Sequence, residues 1–122
     1  MVTRPLDLPS LLGVGKASGA APLAGAVWGH VHLRVTELDR SERFYCDELG
    51  LEVMQRSYPG ARFLAADGYH HHVGINVWSR ARDPQPNGAL GLASITFAKR
   101  GLTQPRDIQD PDAIHLRVDP LE

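Results

Sequence analysis

Hydrophobic and polar positions alternate along Gly29–Val35: Val31, Leu33 and Val35 face one way, His30, His32 and Arg34 the other. Such a strand offers one face to a core and the other to water or to chemistry. The period then changes. Leu38, Phe44, Tyr45 and Leu49 fall near helical spacing and form an apolar stripe able to cover the strand's apolar face. Asp39 followed three residues later by Glu42 predicts a capped helix start, because side-chain oxygens there can satisfy the unpaired N–H groups of the first turn. Gly50 predicts the stop, in the left-handed turn that glycine adopts freely. Leu51–Met54 then opens a second strand, and Tyr58-Pro59-Gly60 marks a turn before a short strand at Arg62–Ala66. After the Asp67-Gly68 turn, His71–Trp78 reads as a strand with Val73, Ile75 and Val77 on one face and His72, Gly74, Asn76 and Trp78 on the other.

Gly29–Trp78 therefore predicts one βαβββ unit. Asp83–Gly88 is a turn-rich connection, and Leu90–Ala98 opens a second unit that breaks off. Lys99–Pro105 is too short and too weakly periodic for a crossover helix. Arg106–Gln109 and Ala113–Val118 remain as strands on either side of the Asp110-Pro111-Asp112 turn. The expected fold class is α+β, a complete βαβββ unit followed by an incomplete one. Without its helix, the apolar face of Leu92, Ile95 and Phe97 is expected to lie uncovered, and a homodimer is expected to cover it.

Residues 1–27 are rich in Gly, Ala and Pro and lack a sustained period, which predicts a flexible N-terminal arm ahead of a single domain over residues 28–122. Gly13-Val14-Gly15-Lys16 is not a phosphate loop, since that motif needs glycine where Ser10 stands and Ser or Thr where Ala17 stands. At 122 residues and 43% hydrophobic the chain can bury a core. A formal net charge of -1 with scattered basic residues argues against nucleic acid or an anionic membrane as partner. No apolar run approaches membrane-spanning length and no secretory signal pattern opens the chain, so the expected location is cytoplasmic. The lone cysteine, Cys46, excludes an intrachain disulfide and reads as helix packing.

The chemistry lies in the histidines. Of the 6 in the chain, only His115 falls outside Gly29–Trp78. A strand histidine such as His30 is as readily a hydrogen-bonded structural group as a ligand. Strand alternation puts His72 on the face of Asn76, whereas a slip of one residue would put His71 there. An imidazole at that place titrates near neutral pH, which suits proton transfer.

The motifs HVHLRVTELDRSERFYCDELGLEV, FLAADGYHHHVGINVW and IQDPDAIHLRV resemble the vicinal oxygen chelate superfamily of glyoxalases, bleomycin-resistance proteins and extradiol dioxygenases. The second motif is similar to the catechol 2,3-dioxygenase-like branch. The resemblance implies a cavity holding a divalent metal, Fe(II) in the dioxygenases, on two histidines and a carboxylate. His30 matches the first ligand. Ser94 stands where the second, a histidine, is found, and His115 where the carboxylate is found. His71 or His72 matches the acid/base histidine, and His32, Asn76 and Ser94 are expected to line the substrate cavity. In a dimer, His115 or His72 of a partner copy could complete a three-histidine site, which would suit Zn(II) or Ni(II) as well as iron.

The resemblance thus implies an extradiol dioxygenase-like protein that binds a divalent metal and a small aromatic diol, with two of the three ligand positions replaced. The alternatives are a non-catalytic module that sequesters a small aromatic or hydrophobic ligand, and an inactive half of a longer enzyme.

Overall fold

A computed structural model describes residues 7–10, 28–86 and 88–122, and in it the opening alternation sorts as expected: Leu33 and Val35 are buried while His30, His32 and Arg34 are exposed. The elements in order are β1 (Val31–Arg34), α1 (Leu38–Leu49), β2 (Glu52–Gln55), β3 (Ala61–Ala65), β4 (Val73–Asn76), β5 (Ile95–Lys99), β6 (Arg106–Gln109) and β7 (His115–Pro120). The first four strands form a sheet in the order β1-β4-β3-β2, with β1 parallel to β4 and the other pairs antiparallel. The last three form a second sheet, β5-β7-β6, with β5 parallel to β7. This is the expected βαβββ unit followed by one that lacks its helix. Residues 100–105, between β5 and β6, are irregular.

Helix α1 does not start at Asp39. Glu37 has an extended backbone, φ -148 and ψ 122, so it is the last residue before the helix. Its carboxylate accepts the N–H groups of Asp39 at 2.8 Å and Arg40 at 2.6 Å. Asp39 instead sits in the first turn, where a negative charge favours the helix dipole. Glu42 is drawn sideways to Arg56 and Arg62. The stop is as expected. Gly50 takes φ 75, and its N–H closes on the Cys46 carbonyl at 2.9 Å.

The helix covers both sheets. Tyr45 and Leu49 pack with Leu33, Val35, Leu64, Val73 and Ile75 of the first sheet and with Leu116 and Val118 of the second. Ile95, Phe97 and Ile108 are half-buried against the same cluster. The expectation of an uncovered face at Leu92, Ile95 and Phe97 is therefore corrected: Ile95 and Phe97 are half-buried against the shared core, and of the three only Leu92, 62% exposed, remains bare.

Polar clamps fix the second sheet to the helix. Asp110 and Asp112 are both buried. Asp110 accepts the N–H groups of Asp112 and Ile114, each at 2.8 Å, through Oδ1, and the Tyr45 hydroxyl at 2.9 Å through Oδ2. Asp112 accepts the Thr36 N–H at 3.0 Å and its hydroxyl at 2.5 Å, together with the Ser41 hydroxyl at 3.3 Å. Every buried acceptor there finds a donor. Lys99 donates to the Glu48 carbonyl at 3.1 Å, near the end of α1.

Of the N-terminal arm, residues 7–10 are described; Leu8–Ser10 form a helical turn in which the Ser10 N–H bonds Asp7. The rest of that expectation, and the Gly13–Lys16 motif, lie outside the described residues. Among the described residues no helix is long and apolar enough to cross a membrane.

Candidate metal centre

The site is built on the face of the first sheet turned away from α1. His32 of β1 pairs in register with Gly74 of β4, and Gly74 with Phe63 of β3, so these three residues form a row across the sheet. His30 lies one residue ahead of β1. His70 and His71 lie in the bend that leads into β4, which is pinned to β1 by the Val31 N–H on the His72 carbonyl at 3.0 Å. A regular strand would send adjacent side chains to opposite faces; the bend lets His70 and His71 reach the same one. Ring centroids of His71 lie 4.3 Å from His30, 4.6 Å from His70 and 4.9 Å from Phe63.

One potential ligand nitrogen each from His30, His70 and His71 lies within 4.8 Å of the others. His71 is buried, and His30 and His70 are exposed. Burial, followed by the neighbouring His30, His70, His32 and His72, pushes the His71 pKa down to about 4. Its ring is neutral near neutral pH, as a metal ligand must be. His32 is also shifted down, by burial first and then by His30.

These three imidazoles fit a divalent transition metal. Bonds of about 2.1 Å require the donors to draw in to roughly 3–4 Å, a closure that the exposed His30 and His70 side chains are free to make. The donor set is all nitrogen. Among the described residues no carboxylate joins it.

The structure brings together some of the residues singled out in the sequence and separates others. His30 and His71 meet, with His32 beside them at 3.3 Å between the Nε2 atoms of His32 and His71. His72 turns elsewhere: its Nδ1 accepts the Ala66 N–H at 3.2 Å, and its ring stacks on Tyr69 at 4.7 Å. Asn76 is buried and accepts the Trp78 N–H at 3.4 Å. Ser94 is exposed, just ahead of β5. His115 opens β7 and is exposed; it stands outside the cluster and shares with His32 the wall of a cavity of about 360 Å³ between β1, residues 83–86 and 88–92, and the Asp112–His115 turn.

Two groups in the site have no assignment from sequence reasoning. His70 stands beside His71 and His72, and the sequence leaves open which of the three faces the cavity; the bend at residues 70–72, ahead of Val73, is what brings His70 beside His71. Phe63 was counted only as a strand residue. Cys46 is half-buried with its thiol pushed up by burial, in keeping with packing.

The model of the glyoxalase/bleomycin resistance protein/dioxygenase superfamily matches residues 28–115. The chain belongs to that superfamily. A catechol-2,3-dioxygenase of Bacillus subtilis (strain 168) is 38% identical over 100 residues, which cover 79% of this chain and 35% of that enzyme. The chain thus spans about a third of the length of this relative. A glyoxalase/dioxygenase structure from Nostoc punctiforme superposes with a TM-score of 0.57 at 16% identity, over 85% of this chain and 98% of that one. A glyoxalase/bleomycin resistance protein/dioxygenase structure from Alicyclobacillus acidocaldarius gives 0.53 at 16%, over 79% and 91%. Those two likenesses show the fold. Within this superfamily fold, His30, His70 and His71 form a group that could hold a metal ion.

Proposed function

We propose that this protein is an extradiol dioxygenase-like member of its superfamily, binding a divalent metal on His30, His70 and His71 and a small aromatic diol against the adjoining face. The observation that carries the reading is the cluster of three imidazoles on the side of the sheet away from the helix, in a chain 38% identical to a catechol-2,3-dioxygenase. When bound, the metal would bind and acidify the vicinal oxygens of a diol. The chain's own residues do the rest. His71, neutral near neutral pH, presents an unprotonated nitrogen. Phe63, Tyr58 and Trp78 form an aromatic wall, with ring centroids 5.9 Å and 6.0 Å apart along the row, for a flat ring to pack on. His72, the other acid/base candidate in the sequence, accepts from Ala66 through Nδ1 and stacks on Tyr69, so the acid/base role is assigned to His71. His32, Asn76 and Ser94 are assigned to contacts with the small ligand, His32 alone of the three lining the cavity of about 360 Å³, and His115 to a composite site only if a second copy brings it near. A cytoplasmic setting belongs to the same proposal.

Fe(II) is the ion that ring cleavage requires. The all-imidazole donor set also suits Zn(II) or Ni(II), and this supports a second reading, a non-catalytic module that sequesters a small aromatic ligand. A homodimer is part of both readings. Its support is no longer the second sheet but the exposed Trp28, Trp78, Leu90 and Leu92. Anaerobic Fe(II) reconstitution followed by a catechol assay in air separates the two. A yellow ring-fission product supports the enzyme; thermal stabilisation by catechols without turnover supports the binding module.

A further inference from the structure

Gly74 sits in the middle of β4, between Val73 and Ile75. Glycine inside a strand weakens it, and its presence often marks a place where another group must approach the backbone closely. Its φ is not positive, so backbone conformation does not call for it. The space does. A Cβ at position 74 would lie 2.9 Å from Cε1, 3.0 Å from Nδ1 and 3.1 Å from Nε2 of His32. Three atoms of one ring at nearly the same distance mean that the imidazole lies flat on the glycine. Phe63, on the other side of Gly74 in the row, meets His32 edge-on at 6.0 Å and His71 at 4.9 Å. His32 is thereby held from below and from the side, with its Nε2 3.3 Å from Nε2 of His71.

We infer that His32, seated on Gly74, is a positioning residue for the metal centre: it takes the Nε2–H of His71 and so turns His71 Nδ1, unprotonated, toward the metal. Of two imidazole nitrogens in contact, one must donate and the other accept. A histidine ligand commonly donates its remaining N–H to a fixed acceptor, and loss of that acceptor weakens metal binding by about 10–100-fold. Here the acceptor is a second histidine, and a glycine in the neighbouring strand makes room for it. The inference rests on the metal reading of the preceding section.

Zn(II) affinity, measured by competition with a chromophoric chelator, and the visible spectrum of the Co(II)-loaded full chain test it. His32→Ala and Gly74→Ala each weaken Zn(II) binding by about 10–100-fold and alter the Co(II) spectrum, while the thermal melt shows both proteins folded. His32→Gln, which returns a hydrogen-bonding group at similar reach, recovers part of the loss. In the double variant Gly74→Ala adds no further loss, because the ring it would strike is gone. Should Gly74→Ala not fold, the His32→Ala and His32→Gln pair decides alone. Zinc binding by His32→Ala as tight as by the unaltered chain overturns the inference. So does a His32 nitrogen that itself takes the ¹⁵N shift of a coordinated imidazole. An unaltered chain that takes up none of Zn(II), Co(II) or Fe(II) overturns the metal reading as well, and that outcome is distinct from both.

Discussion

At its centre the first sheet is buried on both faces. Leu64, Val73 and Ile75 lie under α1, and Phe63, Ala65 and Gly74 lie under the layer of histidines and aromatic rings on the other side. The second sheet is buried on one face only. Leu116 and Val118 join the core, while Thr96 and Ala98 are exposed and Arg117 pairs with Asp107 and Asp119 at the surface. Five histidines belong to the complete unit and one to the truncated unit. The difference shows what the missing helix and strand take with them. A sheet covered on both sides can hold a buried imidazole such as His71 in a fixed place; a sheet covered on one side serves as a buttress, docked through Asp110 and Asp112.

Substitutions separate these roles, and the largest effect is expected in the shared core. Leu64→Ala empties space beneath α1 and is expected to cost about 2–5 kcal/mol, read as a fall in thermal or denaturant midpoint with loss of metal uptake. Asp112→Ala strands the Thr36 and Ser41 donors, at a cost on the order of 3 kcal/mol. Hydrogen exchange is expected to show that cost as loss of protection in β5–β7, with β3 and β4 still protected. If β3 and β4 open together with β5–β7, the two sheets are one cooperative unit and the contrast fails. Tyr45→Phe removes one donor from Asp110 and leaves its other two in place, so about 1.5 kcal/mol is expected in a chemical denaturation series.

Acidification is expected to act on the two regions in opposite directions, by a smaller amount. Glu42 has its pKa lowered, first by the hydrogen bond from Arg56 and further by Arg62. A lowered folded-state pKa means that this tie between α1 and the first sheet is present above the ordinary carboxylate range and lost as pH falls through it. Asp110 is shifted up, because burial outweighs its hydrogen bonds from Ile114, Tyr45 and Asp112. Its contribution is therefore fullest at low pH and declines as pH rises through the raised value. Exchange corrected for intrinsic rates should show α1 and β3 losing protection on acidification before residues 109–116 do. The reverse order would contradict this assignment.

Much of the fold was legible because it is written in local periods. The alternation in Val31–Val35, the stripe on α1, the stop at Gly50 and the absence of a helix after Lys99 all rest on neighbours in sequence. The cap was misplaced because Glu37 reaches forward with a side chain longer than the usual capping residues. The cover over Ile95 and Phe97 has no local signal, because a core shared between two sheets is a tertiary fact with no local period. The site was half legible. His30 and His71 stand out in the sequence, but a bend ahead of β4 brings the exposed His70 beside them and turns His72 toward Ala66, and no propensity marks that bend. His115 stands apart for a related reason: the truncated unit places the start of β7 at a separate cavity wall.

The central claim is that the metal site lies within the complete βαβββ unit. Long-range ¹H–¹⁵N spectra of the 6 imidazoles, recorded as Zn(II) is added to one equivalent, test it directly. The expected result is coordination shifts on nitrogens of His30, His70 and His71 together, with His115 unmoved. Coordination of His115 along with His30, with His70 unaffected, would contradict it and place the metal between the two units instead.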